Sequence, residues 1–323
     1  MIPIRDTVPS RRYPVVTHGM IALNALVYLI QMAQGPGLER FIYYYGLVPA
    51  RYTVEPISAY FSTGQQLFSL LSFMFLHGGF FHLLGNMWSL YIFGDNVEDR
   101  LGHVRYLAFY LLCGLASGIS HLALNAHSNV PTIGASGAIA GVMGAYFLAY
   151  PASKILTLIP IFFIPYFIEL PAFVFLGIWF LFQFLSAAGS HGLGGGIAWW
   201  AHIGGFLFGM LFLKIFGAVP STGISRAVNR MTEKKKSHRL QVVRARGDGE
   251  DPNLYGTIRI TPFEALVGTR KLVNVPWGFH NRVFRVSVPA DTRPGNRLRL
   301  KGMGKQLPDG TRGDIILTVE LED

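Results

Sequence analysis

Apolar positions fall into two different rhythms along this chain. Up to about residue 217 they form long runs, and from residue 254 onward they alternate with polar ones. A helix needs roughly 20 apolar residues to cross a bilayer. Six runs approach that length: 15–33, 78–94, 106–126, 134–150, 171–187 and 198–217. The fourth and fifth are short, which predicts helices that begin below the membrane surface. A further apolar stretch, 155–167, is broken by Pro160 and Pro165. It predicts an interfacial or re-entrant segment rather than a seventh span. The long connection 35–77 carries Tyr43, Tyr44 and Tyr45, side chains suited to a membrane interface. Asp95 to Arg100, with His103 and Arg105, predicts a charged hairpin closing the second span.

In the tail, Phe284, Val286 and Val288 alternate with Arg285 and Ser287, and Leu298 and Leu300 with Arg297, Arg299 and Lys301. Ile315, Leu317, Val319 and Leu321 repeat the pattern, and Pro294-Gly295-Asn296 and Pro308-Asp309-Gly310 separate the runs. Period-two runs between turn signals predict strands with one wet sheet face. The expected fold is a polytopic α-helical membrane protein of six spans (residues 1–217), a basic polar linker (218–253) and a small all-β soluble domain (254–323).

Charge supports this division. Residues 1–217 hold nine Lys/Arg and seven Asp/Glu, and residues 218–323 hold nineteen and eleven. So few charges in 217 residues point to a lipid environment. Arg5, Arg11 and Arg12 precede the first span, Arg100 and Arg105 follow the second, and Lys154 follows the fourth; Arg226 to Arg239 follow the sixth. Six spans put all four groups on one side, the cytoplasmic side by the positive-inside rule, and a seventh would split them. The first fourteen residues lack a short apolar core with a small-residue cleavage site, so 15–33 reads as a retained anchor. A bacterial inner membrane is the expected location. The net charge of +10 lies mainly in the tail, with no aromatic–basic motif beside it. No nucleic-acid partner is expected, and the basic run is read as resting on lipid headgroups. The single Cys113 excludes an internal disulfide and a cysteine-rich zinc site.

Polar residues inside apolar runs are expensive and mark candidate chemistry. Ser136 opens the fourth run, His202 lies at the head of the sixth, and His82 and Asn86 are four apart in the second. Gly137, Gly141 and Ala145 recur every four residues, as do Ala201, Gly205 and Gly209. Two such small-residue stripes let helix backbones meet, which would bring the Ser136 hydroxyl to the His202 imidazole at one depth. His82 and Asn86 project from one helix face, and with the Ser136 backbone N–H they offer donors for a tetrahedral oxyanion. No Asp or Glu lies in the apolar body of these spans, so the catalytic unit would be a Ser–His dyad. Blander readings exist for each residue. Taken singly, Ser136 also reads as a packing residue, His202 as an interfacial or cofactor-ligating histidine, and His82 and Asn86 as interhelical hydrogen-bond glue. The four together also read as a proton path or a metal site, although no further histidine or carboxylate supplies a ligand set.

These motifs resemble the rhomboid family of intramembrane serine proteases across about residues 15–217. The resemblance rests on Gly134-Ala135-Ser136-Gly137, Ala201-His202-Ile203-Gly204-Gly205, the His82 and Asn86 pair, His77, and the turn Glu98 to Gly102. It implies a six-helix rhomboid-like bundle, cleavage of single-span membrane proteins near the outer face, no cofactor and no metal. It makes Ser136 nucleophile, His202 base, His82 and Asn86 oxyanion donors, and His77 a supporting histidine. Two departures stand out. Some members stack a tyrosine on the catalytic histidine from four residues past the nucleophile, where this chain has Ala140. Many members also carry a Trp-Arg pair in the first long loop, absent here.

Residues 255–323 resemble the carboxy-terminal polypeptide-binding domain of DnaJ-type chaperones. The likeness lies in Thr261 to Thr269, Val288-Pro289-Ala290, Arg297 to Gly304 and Gly313-Asp314-Ile315. It implies binding of unfolded or extended polypeptide. Neither a His-Pro-Asp signature nor a cysteine-rich module is present, so recruitment of an Hsp70-type ATPase is not implied. The expected function is an intramembrane serine endopeptidase. The alternative is a catalytically inert rhomboid-like protein that binds membrane helices.

Overall fold

A computed structural model describes residues 1–161, 164–189, 198–219, 223–233, 240–242, 251–277, 280–305, 307 and 310–322. It divides into two units, Met1–Lys234 and Lys235–Asp323.

The first unit begins with strand β1 (Ile2–Asp6) and helix α1 (Val15–Met32). No side chain next to α1 caps its first turn. A distant carboxylate does so instead. Glu98 is 1% exposed and accepts hydrogen bonds from Val16 N (2.9 Å), Thr17 N (2.8 Å) and Thr17 Oγ1 (2.6 Å). A negative charge here satisfies orphan N–H groups and complements the helix dipole.

The long connection folds into α2 (Leu38–Tyr45), two single turns α3 (Ala50–Thr53) and α4 (Glu55–Ser58), and α5 (Thr63–Ser72). Ser62 and Gln65 form a capping box at the start of α5. Arg51 anchors this region. It is fully buried, its guanidinium stacks 3.6 Å from the Phe61 ring centroid, and its Nη1 donates to Tyr43 O (3.1 Å) and Tyr44 O (2.9 Å).

Four further elements complete the helical framework: α6 (Phe80–Leu101), α7 (His103–Leu124), α8 (Ser136–Ala149) and, after a β-hairpin, α9 (Ala172–Gly189). They are followed by α10 (Trp199–Ala218) and α11 (Gly223–Met231), the latter lying within the stretch expected to be a linker. The six expected spans are all helical. By length and apolar composition α1, α7, α9 and α10 qualify as membrane spans, and α5 and α6 form a pair bent by 79°. The protein is a multi-pass membrane protein. One expectation changes: Asp95 to Arg100 lies in the last turns of α6, not in a hairpin loop. The chain reverses at Gly102, whose φ of 79° suits glycine. Position 102 also abuts Asn229, since a Cβ there would lie 2.5 Å from its Nδ2.

Helix α8 is the centre of the bundle. Every residue from Gly137 to Tyr146 is buried, as expected of a helix apolar on all sides. Fourteen residues span only about 21 Å, against a hydrocarbon core of about 30 Å. One end of α8 therefore stops well inside the membrane.

The described residues of the stretch 155–167 are strand rather than helix or irregular loop. Strands β2 (Lys154–Ile161) and β3 (Ile164–Pro171) form an antiparallel hairpin, and β1 pairs with β2 to make a three-stranded sheet. The two prolines that argued against a span sit opposite each other, Pro160 against Pro165. The amino-terminal segment runs along α6: Asn96 Nδ2 donates to Val8 O (3.0 Å) and Trp88 Nε1 to Pro3 O (2.6 Å).

The second unit holds two three-stranded sheets. One is ordered β4 (Leu240–Val242), β6 (Thr269–Trp277), β7 (His280–Val288). The other is ordered β5 (Leu254–Ile260), β9 (Ile315–Leu321), β8 (Arg297–Leu300). The alternation read from the sequence is realised: Val286, Val288, Ile315, Leu317 and Val319 lie in the core. Each such side chain contributes about 1.5–3 kcal/mol by leaving water. A short helix, α12 (Pro262–Val267), interrupts the otherwise β fold because Thr261 and Glu264 form a capping box around Pro262. Glu264 also pairs with buried Lys271 (2.6 Å). Asp314 accepts from Gly302 N (2.7 Å) and from Arg299. These bonds, the Gly302 amide first, hold its carboxyl below the usual carboxylate range.

Candidate active site

Residues 132–136 are held in place before α8 begins. Thr132 exchanges backbone hydrogen bonds with Leu47 (2.8 and 3.0 Å), and Gly134 N donates to Phe73 O (2.9 Å). Thr132 Oγ1 also lies 2.9 Å from His121 Nε2. Gly134 has φ of 131°, and a Cβ there would stand 2.9 Å from His82 Cε1. A side chain at 134 would be strained by conformation and by contact alike. Ser136 is therefore the first residue of a helix whose preceding residue, Ala135, makes no side-chain cap. The first-turn N–H groups and the positive end of the dipole are thus left without a side-chain cap.

The stripes of small residues do meet. A Cβ on Gly205 would collide with Gly137 O, and one on Gly209 with Gly141 O. From the other side Cys113 fills the space over Gly141, at 2.5 Å from its would-be Cβ. This close approach sets Ser136 Oγ 2.7 Å from His202 Nε2. The other ring nitrogen, Nδ1, lies 2.7 Å from Gln183 Oε1 on α9. Two indoles flank the ring: Trp179 at 6.1 Å and tilted by 35°, and Trp199 at 6.3 Å and edge-on.

A cavity of about 400 Å³ opens beside this pair, lined by Ser136, His202, His82, Ser117, Thr132 and Phe73 among others. His82 Nδ1 accepts a hydrogen bond from Gly78 N (3.2 Å), which leaves Nε2 as the protonated, donating nitrogen. That Nε2 lies close to Gly134, 3.0 Å from where its Cβ would be. Asn86 is buried one turn along α6, and among the described residues its Nδ2 has no hydrogen-bond partner. A buried donor left unpaired costs about 1–3 kcal/mol. His77 stands edge-on to His82 with centroids 5.2 Å apart, and its backbone is clamped on both sides by Gln31 (2.6 and 3.0 Å). Among the described residues no group of three or more His, Cys, Asp or Glu is placed to hold a metal ion.

Sequence reasoning missed Gln183, Trp179 and Ser117. Gln183 is one amide in a long apolar run, and only the rotation of α9 about its axis shows that it faces His202. Among the described residues the buried hydroxyl of Ser117 has no partner, and it lines the cavity; its seat beneath Gly137 follows from helix packing that spacing alone does not reveal.

A multi-span helical domain with a serine and a histidine meeting in an internal cavity, joined to a small β-rich module, defines the class of this molecule. Residues 64–219 match the Rhomboid domain family and residues 238–322 the DnaJ C terminal domain family. The chain is thus similar to the rhomboid family over its membrane unit and to DnaJ-type carboxy-terminal domains over its tail. It is 27% identical over 235 residues to Rhomboid protein 1, mitochondrial, of Saccharomyces cerevisiae, covering 70% of this chain and 57% of that protein. It is 29% identical over 203 residues to the human Presenilin-associated rhomboid-like protein, mitochondrial, covering 60% and 46% respectively. RHOMBOID-like protein 5 of Arabidopsis thaliana is 38% identical over 76 residues, 24% of this chain and 25% of that one. The chain thus spans about half the length, or less, of these curated relatives. Two of them are mitochondrial by name, against the bacterial inner membrane expected from the sequence.

Proposed function

We propose that the membrane unit is an intramembrane serine endopeptidase acting on single-span membrane proteins. The observation that carries this reading is the 2.7 Å contact between Ser136 Oγ and His202 Nε2 beside a cavity. In the proposed reaction Oγ attacks the scissile carbonyl carbon while its proton passes to Nε2. The carbonyl oxygen, now negative, accepts hydrogen bonds from His82 Nε2, Asn86 Nδ2 and the Ser136 backbone N–H. The imidazolium gives its proton to the leaving amine, and the C–N bond breaks. Water then repeats the cycle on the acyl-enzyme and frees Ser136. No cofactor enters any step. Substrate segments that unwind readily are favoured, because a regular helix keeps its carbonyls hydrogen-bonded internally.

The Lys and Arg flanks support an orientation with both termini on the cytoplasmic side, in the bacterial inner membrane read from the sequence. A serine-directed covalent probe is expected to label the wild-type protein and not Ser136→Ala. Wild-type protein that resists the probe would favour an inert, helix-binding member of the family.

For the carboxy-terminal domain the proposed partner is unfolded or extended polypeptide. Support comes from the family match and from three apolar side chains on or beside one turn of α12: Phe263, Leu266 and Val267 are 71%, 64% and 52% exposed. Titrating the separate unit 235–323 with an unfolded polypeptide should show saturable binding that Phe263→Ser with Leu266→Ser weakens. A flat titration would leave the domain only a tethering role.

A further inference from the structure

Gln183 is an amide in a helix that otherwise turns apolar side chains outward. Its neighbours Phe182, Phe184 and Leu185 are exposed, whereas Gln183 itself is 8% exposed. Polar side chains inside a membrane bundle are rare and usually pair with one another or with backbone. Here the partner is His202 Nδ1, at 2.7 Å.

The direction of this bond decides the chemistry. An amide oxygen only accepts, so Nδ1 must carry the imidazole proton. The lone pair then lies on Nε2, the nitrogen 2.7 Å from Ser136 Oγ. The opposite tautomer would put the proton on Nε2 and leave it unable to take one from serine. Geometry points the same way. Trp179 lies one turn before Gln183 on α9, and its ring centroid is 6.1 Å from that of His202, tilted by 35°. One face of α9 therefore supplies both an aromatic neighbour for the ring and an acceptor for its far nitrogen. The position four residues past Ser136, where some family members place a stacking tyrosine, is Ala140, fully buried in this bundle.

We propose that Gln183 is the positioning residue of the Ser136–His202 pair, fixing the tautomer and the plane of the imidazole from α9. The proposal rests on the hydrolase reading above. It gives a base without a buried carboxylate the third, orienting group that such dyads otherwise lack. When Nε2 takes the serine proton, Nδ1–H stays on the Gln183 oxygen. The amide dipole then faces the resulting positive charge.

The test uses the full chain reconstituted in liposomes with a single-span model substrate. Gln183→Met keeps the shape and removes the acceptor, and Gln183→Glu keeps an acceptor at the same reach. Gln183→Met is expected to lower kcat by about 10²-fold, the cost of misplacing a reacting group by about 1 Å. KM should stay within about twofold of wild type. Gln183→Glu should recover most of the lost kcat. The proposal is overturned if Gln183→Met cleaves at the wild-type rate, or if both variants lose activity equally, because a packing role would not separate them. If Gln183→Met fails to assemble, the comparison moves to Gln183→Leu against Gln183→Glu, with the same two outcomes. A wild-type protein that cleaves nothing overturns the hydrolase reading first, and that result is distinct from either.

Discussion

Ser136→Ala and His202→Ala proteins, reconstituted with a single-span substrate, are expected to lose cleavage by about 10⁴-fold or more, the first while keeping the wild-type melting temperature. The size follows from how the two groups act. Neither a serine hydroxyl without a base nor an imidazole without a nucleophile attacks an amide, so removing either removes the pair. Stability should barely change in Ser136→Ala, because Ser136 sits at a helix start where it caps nothing, whereas His202→Ala leaves the buried Gln183 oxygen without its partner and should melt lower. The oxyanion donors give the contrast. Asn86→Ala or His82→Ala leaves nucleophile and base in place, and each should cost about 10²–10³ in kcat. Gel-based counting of cleaved substrate over a wide time range measures all four. Residual activity in Ser136→Ala above that of Asn86→Ala would sink the mechanism.

Replacing Gly205 by valine is expected to abolish cleavage as well, but by a different route and with a lowered melting temperature. A Cβ at 205 would overlap the Gly137 carbonyl, and one at 209 the Gly141 carbonyl. Backbone cannot step aside as a flexible side chain can, so α8 and α10 must separate by about 1 Å or more. That much displacement costs about 10²-fold in rate on its own, before the packing lost along the whole contact is counted. Gly217 provides the control. Nothing lies within 4 Å of a Cβ there, so Gly217→Ala should melt and cleave as wild type. Thermal unfolding in micelles beside the cleavage assay separates the two classes. A fully active Gly205→Val would mean that the stripes do not set the distance between hydroxyl and imidazole.

These two experiments also mark what the sequence revealed and what it hid. The six helices were legible because lipid demands long apolar runs, and charged or glycine-rich breaks delimit them. Ser136 and His202 stood out as polar groups beside stripes of small residues. In the tail, strict alternation made β7, β8 and β9 readable. The sheet of β1, β2 and β3 was not legible. Its hairpin has no alternation, because much of it is apolar on both faces, and its third strand lies at the other end of the domain. The role of Glu98 was hidden for a similar reason. Spacing shows which groups share a helix, but not that a carboxylate at the end of α6 closes the start of α1. Gln183 adds a third case, in which the register of α9 against α10 decided what no local pattern could. Helix α12 was readable in principle, since Thr261-Pro262-Phe263-Glu264 is a helix-start signal, but the surrounding strands obscured it.

The pairing of Ile2 with Leu158 joins residues 156 positions apart in the chain (158 − 2). During synthesis the first strand therefore emerges long before its partner exists, and several hydrophobic segments must be threaded into the bilayer in between. Closing so wide a ring costs little more than closing a moderate one, because the entropy grows only with the logarithm of length. What it does impose is a wait: β1 stays without its partner until β2 has been made, after α8 and before α9 and α10.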